Sequence, residues 1–355
     1  MGRSARGRGL PSAPNVLAVE TGLIGELLVV TPALRALRKA YPEARVTALV
    51  SPGSAPVLVG NPAVNRMLPI AKERRAGAVG LFGLAAWFRS QHFDAALVFH
   101  TSFRSALTSA LARVPVRAGL SSEGRGFLLT HKARRDRGAY EVDEHLKVLG
   151  LLGVPGDGRA LELRLLAEER EEAARVLGDG TEGRRLVGLH PGAGREIRRW
   201  PVERFAELGA RLRESGAEPV FAFGPREDAL AEAVHAWWRA HGLPEPRAVR
   251  PRTLRVLGAL FERMDAVVTN NTGPMHVAAA VGTPGVFIHG PTPVARWQPP
   301  GDRWAAVFAD DVPCRPCDSP RCRMDRLLCM EGVTVDRLQA TVEGILGAGR
   351  AGGPA

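Results

Sequence analysis

Lysine is scarce in this sequence. Lys39, Lys72, Lys132 and Lys147 are the only four, and arginines spread over the whole length supply the rest of the 48 basic residues. Set against 37 acidic residues they leave a formal charge of +11, a balance that favours phosphates, nucleotides or anionic head groups as partners. No basic run is interleaved with aromatics as single-strand binders require, so no nucleic-acid partner is expected. Long apolar runs are lacking as well: none reaches the roughly 18–20 uncharged residues of a membrane span, and a soluble chain is expected. Cysteine occurs only at Cys314, Cys317, Cys322 and Cys329. No disulfide framework therefore staples the fold, and a reducing, cytoplasmic compartment fits this usage. The apolar stretch behind the arginine-bearing N-terminus is interrupted by Glu20 and Glu26 and has no convincing small-residue cleavage site, which argues against a secretory signal.

What is present is ordinary globular composition, 45% hydrophobic and 24% charged over 355 residues, enough for two domains of roughly 100–200 residues each. Short apolar runs alternate with longer helical patterns in both halves, the signal of a mostly parallel sheet covered by helices. In the first half the pattern predicts strands over residues 16–19, 45–50 and 95–99, with helices over 27–39 and 102–111. In the second it predicts strands over 186–189, 219–223, 266–269 and 285–288, with helices over 202–214, 227–241 and 253–263. A charged helical stretch and the Gly178-Asp179-Gly180 turn place the hinge within residues 166–185. The expected layout is a basic tail (1–14), an N-terminal domain (15–170), a C-terminal domain (171–347) closed by a helix over 335–346, and a disordered tail (348–355). Ligands of open α/β sheets bind beyond the carboxyl ends of the strands, so two such domains are expected to make a cleft.

Three loops at strand ends carry candidate chemistry. His190-Pro191-Gly192-Ala193-Gly194-Arg195-Glu196-Ile197-Arg198-Arg199-Trp200-Pro201 has glycines that let backbone amides approach an anion, and Arg198 or Arg199 can add charge-assisted hydrogen bonds to phosphate. An ordinary βα loop with surface arginines is the alternative. Asn270-Asn271-Thr272-Gly273-Pro274-Met275-His276 offers Thr272 as N-cap and Pro274 in a first helical turn, and such a helix N-terminus favours a diphosphate. The same residues also suit a helix start with His276 packed inside. Gly224-Pro225-Arg226-Glu227-Asp228 could set Glu227 against a ribose or base, or form a plain solvated turn.

These loops, with Gly290-Pro291-Thr292-Pro293-Val294-Ala295-Arg296-Trp297 and the opening Ile24-Gly25-Glu26-Leu27-Leu28-Val29-Val30-Thr31-Pro32-Ala33-Leu34-Arg35-Ala36-Leu37, closely resemble the ADP-heptose:lipopolysaccharide heptosyltransferases, glycosyltransferase family 9. Asn61-Pro62 and Phe93-Asp94 also look like family positions, and the likeness runs in order from about residue 16 to 346. The resemblance implies an α/β chain of GT-B type, two Rossmann-like domains with a cleft between them. It implies inverting transfer of heptose from ADP-heptose to the lipid-linked inner core of lipopolysaccharide, in the cytoplasm and in peripheral contact with the inner membrane. By position, Glu26 falls on the family's catalytic carboxylate, Arg198 on its basic residue near the donor phosphates, and Glu227 on a nucleotide-contacting acid. Thr272, Gly273, Met275 and His276 fall on the diphosphate loop, with His190, Gly192, Ala193 and Asn271 completing the expected donor side.

The roles agree with elementary chemistry. An attacking hydroxyl must lose its proton to a base, and preorganised amides and cations can stabilise the departing ADP without a required metal. Two departures stand out. Most relatives carry Asp at the position of Glu26, in a Ser-rich loop preceded by Arg or Lys. This chain has Glu20-Thr21-Gly22-Leu23-Ile24 instead, so a basic residue has become an acid. Asn271 likewise stands where Asp is common. These changes bear on the base and the acceptor more than on the donor, and leave as alternatives a related glycosyltransferase with another donor or acceptor, or a catalytically weak sugar-nucleotide-binding protein. Cys314, Cys317, Cys322 and Cys329 match a cysteine cluster common in the family; a structural zinc, two disulfides or four reduced thiols each suit the spacing.

Overall fold

The buried apolar runs of the chain become parallel strands, as expected where both faces of a sheet are covered by helices. The computed structural model describes residues 10–75 and 77–351, and two compact units divide between Glu162 and Leu163. The first contains β1 (Asn15–Glu20), β2 (Arg45–Val50), β3 (Arg66–Pro69), β4 (Ala95–Val98), β5 (Val116–Leu120) and β6 (His131–Ala133). The second contains β7 (Arg185–His190), β8 (Ala217–Ala222), β9 (Arg247–Val249), β10 (Ala266–Asn270), β11 (Gly285–Ile288) and β12 (Trp304–Val307). The strand orders are β3-β2-β1-β4-β5-β6 and β12-β11-β10-β7-β8-β9, parallel throughout. Each is thus a doubly wound Rossmann-like sheet whose chain reverses direction beside its first strand, at β1/β4 and β7/β10. Both sheets secure that junction in the same way. Asp94, just before β4, accepts a hydrogen bond from the Asn15 amide at 2.8 Å, and Asp265, just before β10, accepts one from the Leu186 amide at 2.7 Å.

The core of the second unit is aromatic, with Trp200, Phe205, Phe221 and Trp238 fully buried. The indole N–H groups of Trp200 and Trp238 donate to Val333 O at 2.9 Å and Ala206 O at 3.1 Å, which removes the penalty of burying them. Among the described residues no helix is long and apolar enough to cross a membrane.

Three boundaries differ from the sequence expectation. The single helix expected over 27–39 is two, Ile24–Leu28 and Thr31–Ala40. Pro32 supplies no N–H and its ring would clash with the carbonyl four residues earlier, so the chain breaks there, and Thr31 Oγ1 donates to Leu28 O at 2.7 Å across the break. Residues 163–170, expected in the first unit, belong to the second. There the Arg255 guanidinium binds the Arg164 carbonyl and the Glu169 carboxylate, the latter at 2.8 Å, and Gly258 leaves room for Leu163 and Leu165. The last helix, Val335–Ala351, extends into the segment expected to be a tail. The ends of both expected tails, 1–9 and 352–355, lie outside the described residues.

Candidate functional site

In the second unit the candidate residues gather where β7 and β10 lie side by side. His190 closes β7, and its Nδ1 donates to Ala222 O at 2.8 Å, with its Nε2 3.9 Å from Glu227 Oε1. Glu227 folds back on its own turn, accepting from the Gly224 amide at 2.7 Å. Gly192 is what lets the carboxyl come so close: a Cβ there would overlap Glu227 Oε1 and stand 2.8 Å from Oε2. Asn270, the last residue of β10, holds the loop between residues 191 and 200 from both ends. Its Nδ2 donates to Pro191 O (2.8 Å) and Gly192 O (3.2 Å), while its Oδ1 accepts from the Trp200 amide (3.0 Å). Ala193, in the same loop, is buried, and its carbonyl accepts from Arg199 Nη2 at 3.1 Å.

Arg198 ends a short turn, Glu196–Arg198, with its Nη2 3.9 Å from Asp318 Oδ1, and Arg296 Nη1 stands 3.1 Å from Asp318 Oδ2. Two guanidiniums therefore share one half-exposed carboxylate. The planar fork of a guanidinium suits an anionic ligand that can take bidentate hydrogen bonds.

Beyond β10 the chain enters the helix Gly273–Ala280. Thr272 is the N-cap in position but its side chain makes no cap hydrogen bond; Oγ1 donates back to Asn270 O at 3.4 Å. Pro274 has no N–H and the Met275 amide donates to Thr272 O at 3.1 Å, so the Gly273 amide is the donor this helix start offers an oxyanion. Asn271 is turned into the protein: its Nδ2 donates to His289 Nδ1 (2.9 Å) and Thr292 Oγ1 (2.6 Å). An amide nitrogen can only donate, so His289 Nδ1 accepts and its proton sits on Nε2, shared with Gln298 Oε1 at 3.0 Å. Burial pushes His289 down to about 4 and keeps it neutral. Met275 and His276 are buried, the latter edge-on to Trp297 with ring centroids 5.8 Å apart.

The first unit presents a separate cluster at the end of β1. Glu20 is buried and accepts from the Gly22 amide at 2.8 Å; Glu26, half-buried at the third position of its helix, accepts from the Leu23 amide through Oε2 at 2.7 Å. A Cβ on Gly22 would overlap Glu26 Oε2 and stand 2.8 Å from Glu20 Oε1. Ser51 Oγ donates to Gly22 O at 2.9 Å and fixes the turn from β2. Burial, and then the charge of Glu26, push Glu20 up to about 8. Arg125 lies fully buried nearby and spends its guanidinium on carbonyls, those of Leu120 at 2.9 Å, His100 and Val98.

All four cysteines are free thiols. Cys329 is buried, and burial followed by the charges of Cys317, Cys314 and Cys322 pushes its thiol up; the other three are exposed. Among the described residues no group of three or more His, Cys, Asp or Glu side chains is placed to hold a metal ion, so the four thiols as arranged do not fit a tetrahedral zinc site.

The expected donor residues fall into adjoining groups: His190, Gly192 and Glu227; Arg198; and Asn271, Thr272 and Gly273. Sequence reasoning missed Asn270, His289, Gln298 and Asp318. Asn270 could have been noticed as the last residue of its strand beside Asn271, but its partners lie across the sheet, and no spacing signals them.

Residues 82–328 match glycosyltransferase family 9 (heptosyltransferase). The chain is 25% identical over 313 residues to lipopolysaccharide heptosyltransferase 3 of Escherichia coli, across 86% of this chain and 92% of that protein. It is 28% identical over 296 residues to lipopolysaccharide heptosyltransferase 2 of Salmonella typhimurium, across 78% and 83%. Among solved structures it is similar to the E. coli ADP-heptose lipopolysaccharide heptosyltransferase II, with a TM-score of 0.76 at 22% identity over 95% of this chain and 99% of that one.

Proposed function

Since the chain belongs to glycosyltransferase family 9, the heptosyltransferase family, and is a glycosyltransferase of GT-B type acting in lipopolysaccharide core assembly, we propose that it transfers heptose from ADP-heptose, with inversion, to a lipid-linked inner-core acceptor. The observation that carries this reading is the donor side of the second unit, where an N-terminus without a side-chain cap at Thr272 and Gly273 adjoins the loop held by Asn270. Arg198 and the Gly273 amide at that helix start stabilise the charge that develops on the departing ADP. Glu227, held by Gly224, meets the ribose or base, with His190, Gly192 and Ala193 forming the floor of the loop. Asn271, Met275 and His276 act from behind, fixing the helix start rather than touching the ligand, because their side chains are buried. Glu26 takes the proton of the acceptor hydroxyl as that oxygen bonds to the anomeric carbon. The enzyme works on the cytoplasmic side, in peripheral contact with the inner membrane that carries its acceptor.

A ligand that binds only the folded state raises its unfolding temperature. ADP-heptose and ADP are therefore expected to raise the unfolding temperature of the purified protein while UDP-sugars leave it unchanged. No response to any ADP-sugar would overturn the donor assignment. One observation favours a second reading of the acceptor: the loop from Glu20 to Glu26 carries two carboxyls and no basic side chain, so it gives no counter-charge to an acceptor phosphate, which favours an acceptor without an anionic group at that point.

A further inference from the structure

We propose that Glu20 is a positioning residue for Glu26: the two carboxyls pair around Gly22, where Glu20 holds a proton and so leaves Glu26 in place on the Leu23 amide. The inference rests on the reading of Glu26 as the base and adds a residue to it.

The geometry of Gly22 joins the two groups. From the point its Cβ would occupy, Glu20 Oε1 is 2.8 Å away and the Glu26 carboxyl carbon 2.9 Å, so these two atoms lie within 5.7 Å of one another. Only the absence of a side chain at Gly22 permits this. Glu20 is 4% exposed and receives one amide hydrogen bond, and among the described residues it has no ion pair. The one positive charge acting on it, that of Arg125, opposes the proton less strongly than burial and the Glu26 charge favour it. Arg125, from the turn Arg125–Leu128, is hydrogen-bonded to the carbonyls of Leu120, His100, Ser102 and Val98; Glu141, from the helix Glu141–Gly150, is paired with Arg135 at 2.5 Å; His100, beyond β4, accepts the Ser102 amide at its ring Nδ1 at 3.3 Å. Two carboxyls at such a range cannot both ionise cheaply, and the buried one keeps the proton. Among the described residues the hydroxyl of Thr21, between them in the chain, is buried without a hydrogen-bond partner.

During transfer the acceptor O–H proton passes to Glu26, the acceptor oxygen bonds to the anomeric carbon, and the bond from that carbon to the donor phosphate breaks, its electron pair leaving with ADP. Glu20 keeps its proton throughout. Once Glu20 ionises, mutual repulsion drives Glu26 from the Leu23 amide and the base loses its position.

Two measurements test the pair. In the first, the pH dependence of kcat is compared for the wild type and Glu20→Gln. The wild-type rate is expected to fall about tenfold per unit above the Glu20 ionisation, and the variant to change less than about twofold over the same interval. An identical alkaline limb in both proteins would overturn the proposal. In the second, carboxyl carbon NMR follows Glu20 in substrate-free protein, wild type and Glu26→Gln. A lower titration midpoint in the variant supports the pair, and an unchanged midpoint refutes it. If the midpoint moves but no ADP-sugar supports transfer, the functional reading fails while the pair stands.

Discussion

Replacing Gly22 by Ala should separate activity from stability. The added methyl carbon would overlap Glu26 Oε2, whereas real Cβ contacts do not fall below 3.0 Å, so the oxygen must retreat by about 1 Å. The backbone at Gly22 is not in the left-handed region, and the atoms displaced, Glu26 Oε2 and by a few tenths of an ångström Glu20 Oε1, are the ends of flexible side chains, so the fold can absorb the change. The direct loss is the exposed Leu23 amide bond, about 0.5–1.5 kcal/mol. A base displaced by roughly 1 Å, however, loses about 100-fold in rate, equivalent to about 2.7 kcal/mol of barrier. Release of ADP from ADP-heptose in the presence of acceptor, followed beside thermal unfolding and calorimetric ADP binding, measures all three quantities. The expected result is kcat down about two orders of magnitude, a small change in unfolding temperature, and unchanged ADP affinity, since the donor residues belong to the other unit. A kcat within threefold of wild type would refute the assignment of Glu26 to the reaction.

Gly192→Ala should act on the donor instead, pushing Glu227 off the Gly224 amide and weakening ADP binding by about tenfold or more, equivalent to about 1.4 kcal/mol; unchanged affinity would remove Glu227 from the nucleotide site. Glu20→Gln should stabilise the protein in a pH-dependent way. The folded state holds the Glu20 proton up to about 8 while the unfolded chain releases it near its ordinary value of 4.5, so wild-type stability falls with rising pH between those values. The gain on substitution should be near zero at pH 4.5 and about 3 kcal/mol at pH 7, and denaturant melts at a series of pH values would show whether it is instead flat. Thiol titration should find Cys314, Cys317 and Cys322 reacting quickly and buried Cys329 slowly; equal protection of all four, lifted by a chelator, would show that they bind metal after all.

The α/β class and the strand-end loops were legible because parallel strands buried on both faces leave continuous apolar runs such as Val187 to Leu189 and Val267 to Val268, with glycine-bearing loops behind them. The outer strands were not. β3 is only half-buried, and β6 and β9 are three residues long, too short for any periodicity to register. The break at Pro32 was readable in principle, since proline forbids the hydrogen bond that a continuous helix would need. Glu20 was visible as an acid at an unusual position, but its burial against Glu26 depends on how Gly22 turns the chain. The same limit applies to Asn270: its hold on the 191–200 loop is a consequence of β7 and β10 becoming neighbours, and nothing in the local sequence encodes that pairing.

The most direct test of the account is transfer itself, measured with wild type and Glu26→Gln on ADP-heptose and a heptose-deficient lipopolysaccharide acceptor, with product and ADP quantified together. The account expects wild-type turnover with inverted anomeric configuration and a loss of about 100-fold or more in the variant, with ADP-heptose still stabilising both proteins against unfolding. Undiminished transfer by Glu26→Gln, or a retained configuration in the product, would contradict it.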